Sequence, residues 1–371
     1  MLTRRDFATR LAAAMAAGRM LPEMAYAQRA VIQGNLPKDI VWLNANENPL
    51  GPPKSSLAAM ADVLPLSGRY HYQEVHQFYD ALAASEDLRR ENILAGSGSS
   101  EVLHAAVDAF TGPDRPLVVM HPTYEGPPET ARAAGRQVIQ VPLLPDYSAD
   151  VHKIAEAADR SHAGLIYLCN PNNPTASITP KAGISWLAEN LPSGTVLLID
   201  EAYIHFGDSP ELASAIPYVR QGKNVIVART FSKIYGMAGV RAGFACAPPA
   251  LIERMQPFRI NVLSVIAMRA VLAALDESKT LVPERRAINA RVRGSLCAWL
   301  RERRVPYIES QANFMMIDVG RNAREFITRM PPLGVAPGRP FPPLDNMLRV
   351  TIGTETEMQK FRDVFWRVYQ A

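Results

Sequence analysis

Between Asn92 and Ala247 short apolar runs alternate with helix-like stretches, and this rhythm constrains the fold more than any other feature of the chain. Runs of four to six buried-type residues separated by helical sequence cannot pair as hairpins. They must return through crossovers, which gives a mainly parallel sheet covered by helices on both faces. The strand candidates are Asn92–Ala95, Leu117–Met120, Gln137–Val141, Leu165–Cys169, Val196–Ile199, Val225–Ala228 and Gly243–Ala247, with helices such as Ser99–Phe110 and Lys181–Asn190 between them.

After Pro248 the pattern changes to helices over Ala267–Leu275 and Glu284–Leu300. A strand at Asn313–Val319, a helix near Ala323–Met330, a strand at Met347–Ile352 and a terminal helix from Glu355 follow. The expected fold is therefore α/β, a three-layer α/β/α large domain over residues 88–258 with a smaller α+β domain over 259–371. Residues 28–87, rich in Pro and Gly, are expected to wrap both. A chain of 371 residues is long enough for two such cores. With 48% hydrophobic and 20% charged residues, a net charge of +4 and no basic block, the composition suits a soluble protein and gives nucleic-acid binding no support. Cys169, Cys246 and Cys297 lack any C-x-x-C spacing, so neither a metal site nor a disulfide framework is suggested.

At the N-terminus, Arg4-Arg5 precede Phe7, an Ala-rich segment spans Leu11–Gly18, and Ala25-Tyr26-Ala27 offers a small-x-small cleavage pattern. Residues 1–27 resemble a twin-arginine export signal, which implies a periplasmic destination for an already folded enzyme. A cytoplasmic enzyme with an amphipathic N-terminal helix is the alternative. The apolar segment is too short to span a bilayer.

Chemistry concentrates in Arg229–Phe244, RTFSKIYGMAGVRAGF. A lysine that acts as an amine nucleophile needs burial or neighbouring cations to lower its pKa, and Lys233 has Arg241 eight residues on. The hydroxyls of Thr230 and Ser232 with the Arg241 guanidinium could cradle a phosphate dianion. Together they suggest a lysine imine to a phosphorylated aldehyde, pyridoxal 5'-phosphate; taken alone, the segment could be a surface lysine on a glycine-rich loop.

Other motifs fit that reading. Gly96-Ser97-Gly98-Ser99-Ser100-Glu101 follows a strand and opens a helix, which suits a phosphate or a simple helix cap. Glu101 stands where a dinucleotide fingerprint has its third glycine. Asn170–Thr175 ends a strand where open α/β sheets place ligands, or forms a rigid Asn-Pro turn. Asp200 closes an apolar strand, a costly position unless a cation meets it, and a pyridine nitrogen held protonated would do so. Tyr203 is placed to reach a phenolic oxygen; either residue would serve equally as a helix cap. Arg349, inside an apolar strand, fits a substrate carboxylate or a structural ion pair.

In this order the motifs resemble the fold-type I aminotransferases, and most closely the histidinol-phosphate aminotransferase branch. LNANENPLGPP (Leu43–Pro53), Arg69-Tyr70, HPTYEG (His121–Gly126), CNPNNPT, LIDEAY, the Lys233 segment and LRVTIGT (Leu348–Thr354) carry the resemblance. It implies that Lys233 forms the imine to the cofactor and then moves a proton from the substrate Cα. Asp200 would pair with the ring nitrogen, Tyr203 and Asn173 would contact the ring oxygen, and Tyr124 would stack on the ring. Ser99, Ser100, Thr230, Ser232 and Arg241 would hold the phosphate. Tyr70 would reach the neighbouring subunit's site in a homodimer, and Arg349 with Asn173 would bind the substrate carboxylate.

The chain departs from this pattern in places that concern substrate. Ala176 replaces the usual glycine after NNPT, and Ala336 stands where the branch has a phosphate-binding arginine. The branch's substrate-binding tyrosine has no match near Arg29, and Arg339 on a following loop is a candidate for a distal anion. The leading expectation is an aminotransferase working by a ping-pong mechanism. A decarboxylase or cyclase of the same fold, and a non-catalytic ligand-binding protein, are the alternatives.

Overall fold

The computed structural model describes residues 36–371; the export-signal motif at residues 1–27 and the position near Arg29 lie outside them. The strands are β1 (Val41–Leu43), β2 (Ile93–Gly96), β3 (Leu117–His121), β4 (Val138–Pro142), β5 (Leu165–Cys169), β6 (Val196–Asp200), β7 (Val225–Thr230), β8 (Gly243–Cys246), β9 (Phe314–Asp318), β10 (Val335–Pro337) and β11 (Met347–Thr351). Seven of them form one sheet in the order β2-β8-β7-β6-β5-β3-β4. Strand β8 runs antiparallel to both of its neighbours, and the remaining pairings are parallel.

The two faces of this sheet follow from the strand period of two. Ile166, Leu168, Leu197, Ile199, Val225 and Val227 point into one core, beneath the helices Val151–Ser161, Lys181–Glu189 and Val265–Asp276. Leu165, Tyr167, Cys169, Val196, Leu198 and Ile226 point into the other, against the helices Ser99–Phe110 and Pro249–Met255. Every residue of β5, β6 and β7 is buried. This explains why these strands read as continuous apolar runs rather than alternating ones.

A third core joins the helices Ser278–Glu302 and Glu355–Tyr369 to the antiparallel pair β9-β11 and to β1-β10. The terminal helix starts at its expected residue because Thr354 and Glu357 form a capping box. Ser278–Glu302 begins six residues before the expected Glu284, running through Pro283. A proline that close to the helix start removes only one bond from the ladder.

The N-terminal segment ties the cores together. Strand β1 pairs in parallel with β10, a contact no local pattern announces. The Asn46 backbone N–H donates to Thr351 Oγ1 at 2.9 Å, its side-chain amide donates to the Tyr203 hydroxyl at 3.2 Å, and Ser56 Oγ donates to the Ala270 carbonyl at 2.7 Å. The helices Lys54–Val63 and Val75–Ser85 within this segment are not apparent from its composition. Among the described residues no helix is long and apolar enough to cross a membrane.

Candidate active site

The C-terminal ends of β5, β6 and β7 meet at one edge of the sheet, and the turns beyond them line a cavity of about 430 Å³. That is within the usual range for small-molecule sites. Asn173, Asp200, Tyr203, Thr230, Ser232, Lys233 and Arg241 reach it from the large sheet, joined by Ser99, Ser100 and Tyr124. Arg339 and Arg349 reach it from the C-terminal portion. Of the residues expected from the sequence, only Tyr70 lies outside, exposed and stacked on Tyr72 with ring centroids 5.3 Å apart.

Lys233 donates to the Ala45 carbonyl at 3.3 Å, and its Nζ lies 5.5 Å from the centre of the Tyr203 ring. Burial, then the Arg349 guanidinium, bring its ammonium down to about 8, against the opposing pull of Glu47 and Asp200. At neutral pH roughly a tenth of such an amine is unprotonated, far more than of an ordinary lysine.

Asp200 is 3% exposed and accepts hydrogen bonds from the Tyr167 hydroxyl at 3.2 Å and the Ala202 N–H at 3.1 Å. Its carboxyl is pushed up to about 6, chiefly by burial. The cation expected to meet an acid at this position is not a protein ion-pair partner. The neighbouring Glu201 has one instead, since its carboxylate lies 3.0 Å from Arg229. Asp200 therefore binds its proton more tightly in the folded chain than in the unfolded one. That contribution is fully present below about 3.8 and is lost as the pH rises through 6. In cofactor-free protein, Asp200→Asn is expected to raise stability by on the order of 3 kcal/mol at pH 7. The gain should shrink steadily toward pH 4.5, as urea unfolding of the two proteins across this range will show.

The phosphate cradle has a backbone cause. Gly98 sits at φ +88, and a Cβ there would lie 2.5 Å from Arg241 Nη2. The glycine permits close approach of the guanidinium to the start of the Ser99–Phe110 helix, where helix dipole and cation add. Arg241 itself holds a left-handed φ of +62 and donates to the Ala238 carbonyl at 3.0 Å. A non-glycine residue in that region costs about 1–2 kcal/mol. Thr230 donates to Ser232 Oγ at 3.0 Å. Glu101, at the third-glycine position of a dinucleotide fingerprint, braces the turn: it accepts from the Ser97 N–H at 2.6 Å and the Asn261 N–H at 2.7 Å.

Arg349 is 6% exposed, donates to Asn173 Oδ1 at 2.8 Å and to the Asn44 carbonyl at 2.7 Å, and has no ion-pair partner among the described residues. Its Nε is buried without a hydrogen-bond acceptor. Burial lowers it to about 10. Of the two sequence readings of this residue, a structural salt bridge is thus not observed. Arg339 pairs with Glu125, a residue the sequence reading left unassigned, and its guanidinium lies 4.2 Å from the Phe341 ring centre. Ala336 is fully buried in β10. Ala176 adopts φ +60, the left-handed conformation that explains why glycine is usual there.

Asn44, Asn46 and Glu47 also border this chemistry, roles that the sequence does not announce residue by residue although all three lie within the LNANENPLGPP motif. Tyr167, deep in β5, gave no signal at all.

The donor set fits pyridoxal 5'-phosphate: a lysine of lowered pKa, an acid buried with no cationic ion-pair partner among the described residues, and a cationic cradle at a helix start. Fold and site define an enzyme of this cofactor class. Residues 38–365 match the family of class I and II aminotransferases, and the chain belongs to that family. It is 33% identical to the histidinol-phosphate aminotransferase of Moorella thermoacetica over 87% of this chain and 84% of that protein. Its identity to the aromatic amino acid aminotransferase of Rhodococcus jostii is also 33%, covering 90% of this chain and 91% of the other. The histidinol-phosphate aminotransferase of Sinorhizobium meliloti, solved with pyridoxal 5'-phosphate, superposes with a TM-score of 0.85 at 26% identity, covering 96% of each chain. The chain is a pyridoxal 5'-phosphate-dependent aminotransferase.

Proposed function

We propose that the amino donor is an α-amino acid and the acceptor a 2-oxo acid, both bound in turn at this one site through their carboxylates. The observation that carries this reading is Arg349, a buried guanidinium with no ion-pair partner among the described residues and a buried, unbonded Nε, in the same cavity as Lys233 and Asp200. A planar carboxylate is the anion its fork matches. Histidinol phosphate has no carboxylate, and with Ala336 at the branch's arginine position it is not the expected donor.

When bound, the cofactor withdraws electrons from the substrate Cα. Lys233 would hold it and then take the proton from Cα, its amine kept available by burial. Asp200 would hold a proton on the ring nitrogen, with Tyr167 keeping its carboxylate aimed. Tyr203, oriented by Asn46, and the Asn173 amide would face the ring oxygen, and Tyr124 would cover the ring. Ser99, Ser100, Thr230, Ser232 and Arg241 would anchor the phosphate. The Arg339–Glu125 pair would border the substrate side chain.

A donor panel tests this. Aromatic and aliphatic α-amino acids with 2-oxoglutarate, pyruvate or oxaloacetate are expected to turn over with parallel-line kinetics, and histidinol phosphate at least about tenfold less efficiently. Efficient turnover of histidinol phosphate alone would overturn the substrate assignment.

The reading extends to a homodimer in which Tyr70 reaches the partner's phosphate, and to twin-arginine export with cleavage after Ala27. Sedimentation of the purified chain should give twice the monomer mass. Replacing Arg4 and Arg5 by lysine should leave the uncleaved protein in the cytoplasm.

A further inference from the structure

A second cavity of about 360 Å³ lies behind the catalytic turn, between the long helix Ser278–Glu302 and the segments around Pro49 and Gly353. Its walls are largely apolar, from Leu50, Phe206, Ile288, Val292 and Ile352. Two polar groups within it lack the partners their chemistry calls for. Arg285 is 6% exposed and donates to the Ile234 carbonyl at 3.0 Å, yet no carboxylate lies within ion-pair distance of it among the described residues. Asn313 is 2% exposed, and its Oδ1 is buried without a donor.

A buried cation without an anion and a buried acceptor without a donor both carry a desolvation cost that a ligand can relieve. Their arrangement fits one small molecule. Both line the same cavity, and Asn289, one helical turn beyond Arg285, donates to the carbonyl of Ala312, the residue before Asn313, at 3.2 Å. At the mouth Arg291 and Glu355 neutralise each other at 3.0 Å, leaving Arg285 as the net charge among the described lining residues, with Glu277 and Glu284 acting on it only from beyond ion-pair distance.

We propose that this cavity is a second, non-catalytic site for an α-amino acid with an apolar side chain. Its carboxylate binds Arg285, its ammonium donates to Asn313 Oδ1, and its side chain packs against Phe206, Ile288 and Val292. The site is wired to the catalytic cavity. Arg285 and Asn48 both donate to the carbonyl of Ile234, the residue after Lys233. The Asn313 amide donates to the Asn46 and Glu47 carbonyls at 3.0 and 3.2 Å. The inference does not depend on which donor the enzyme uses.

The test is equilibrium dialysis of labelled L-phenylalanine against the full chain, after borohydride has fixed the cofactor on Lys233 so that the active site no longer exchanges. One equivalent should bind per chain at millimolar concentration or below. 3-Phenylpropionate, lacking the ammonium, and phenethylamine, lacking the carboxylate, should each bind at least about tenfold more weakly. Arg285→Gln should weaken L-phenylalanine at least tenfold. Ile288→Trp, which fills the cavity from a half-buried position without touching the buried charge, should abolish binding. Absence of saturable binding, equal binding of all three compounds, or binding unchanged in Ile288→Trp would each overturn the proposal.

Discussion

Lys233→Ala is expected to lower kcat by about 10⁴-fold, the upper range for loss of a positioned proton carrier, while the chain still folds. The substitution removes the only side-chain amine lining the cavity among the described residues and one hydrogen bond to the Ala45 carbonyl, so little packing is lost. Single-turnover mixing of the variant with an amino acid donor should show the defect in the proton-transfer step rather than in binding. Borohydride treatment of the wild type followed by peptide mapping should mark Lys233. A variant retaining a tenth of wild-type kcat would exclude Lys233 from that role. In cofactor-free protein its amine titrates near 8, so limited acetylation at pH 7.5 should modify it ahead of ordinary lysines.

Arg349→Leu should reduce kcat/KM for α-amino acids by about a thousandfold, as expected when a buried, charge-assisted bidentate contact is removed. The loss should be the same for donors and acceptors, because both present a carboxylate. Amines without a carboxylate should be affected far less, so the ratio of the two substrate classes isolates the contact from any general damage. Folding is not expected to suffer: among the described residues the guanidinium has no ion-pair partner to strand, and its removal frees only Asn173 Oδ1 and the Asn44 carbonyl beside an open cavity. An equal loss for carboxylate-free amines would mean that Arg349 supports the site without reading substrate.

The centre of the sheet was legible because β5, β6 and β7 are buried on both faces, and burial writes itself into consecutive apolar residues. The limits of Leu165–Cys169 and Ser99–Phe110 agree to the residue. The chemistry was legible where one residue type admits few uses, as with an aspartate ending an apolar strand or an arginine inside one. What could not be read depends on distant partners. Glu125 acquires its meaning only when the loop carrying Arg339 comes within reach, 214 residues later. Tyr167 looks like any core aromatic until Asp200 is placed beside it on the next strand. The short β1-β10 pair carries no alternation long enough to register. Glycines were read as making room for a phosphate, whereas Gly98 first makes room for Arg241.

The two consecutive acids at the end of β6 have separate surroundings. Asp200 is held by Tyr167 and faces the cavity, whereas Glu201 is held by Arg229, Ser214 and the Ala215 N–H on the far side. In a deep mutational scan scored for both abundance and turnover, these neighbours should therefore fall into opposite quadrants. Substitutions at 201 would deplete the protein from the cell, while those at 200 would leave it plentiful and idle.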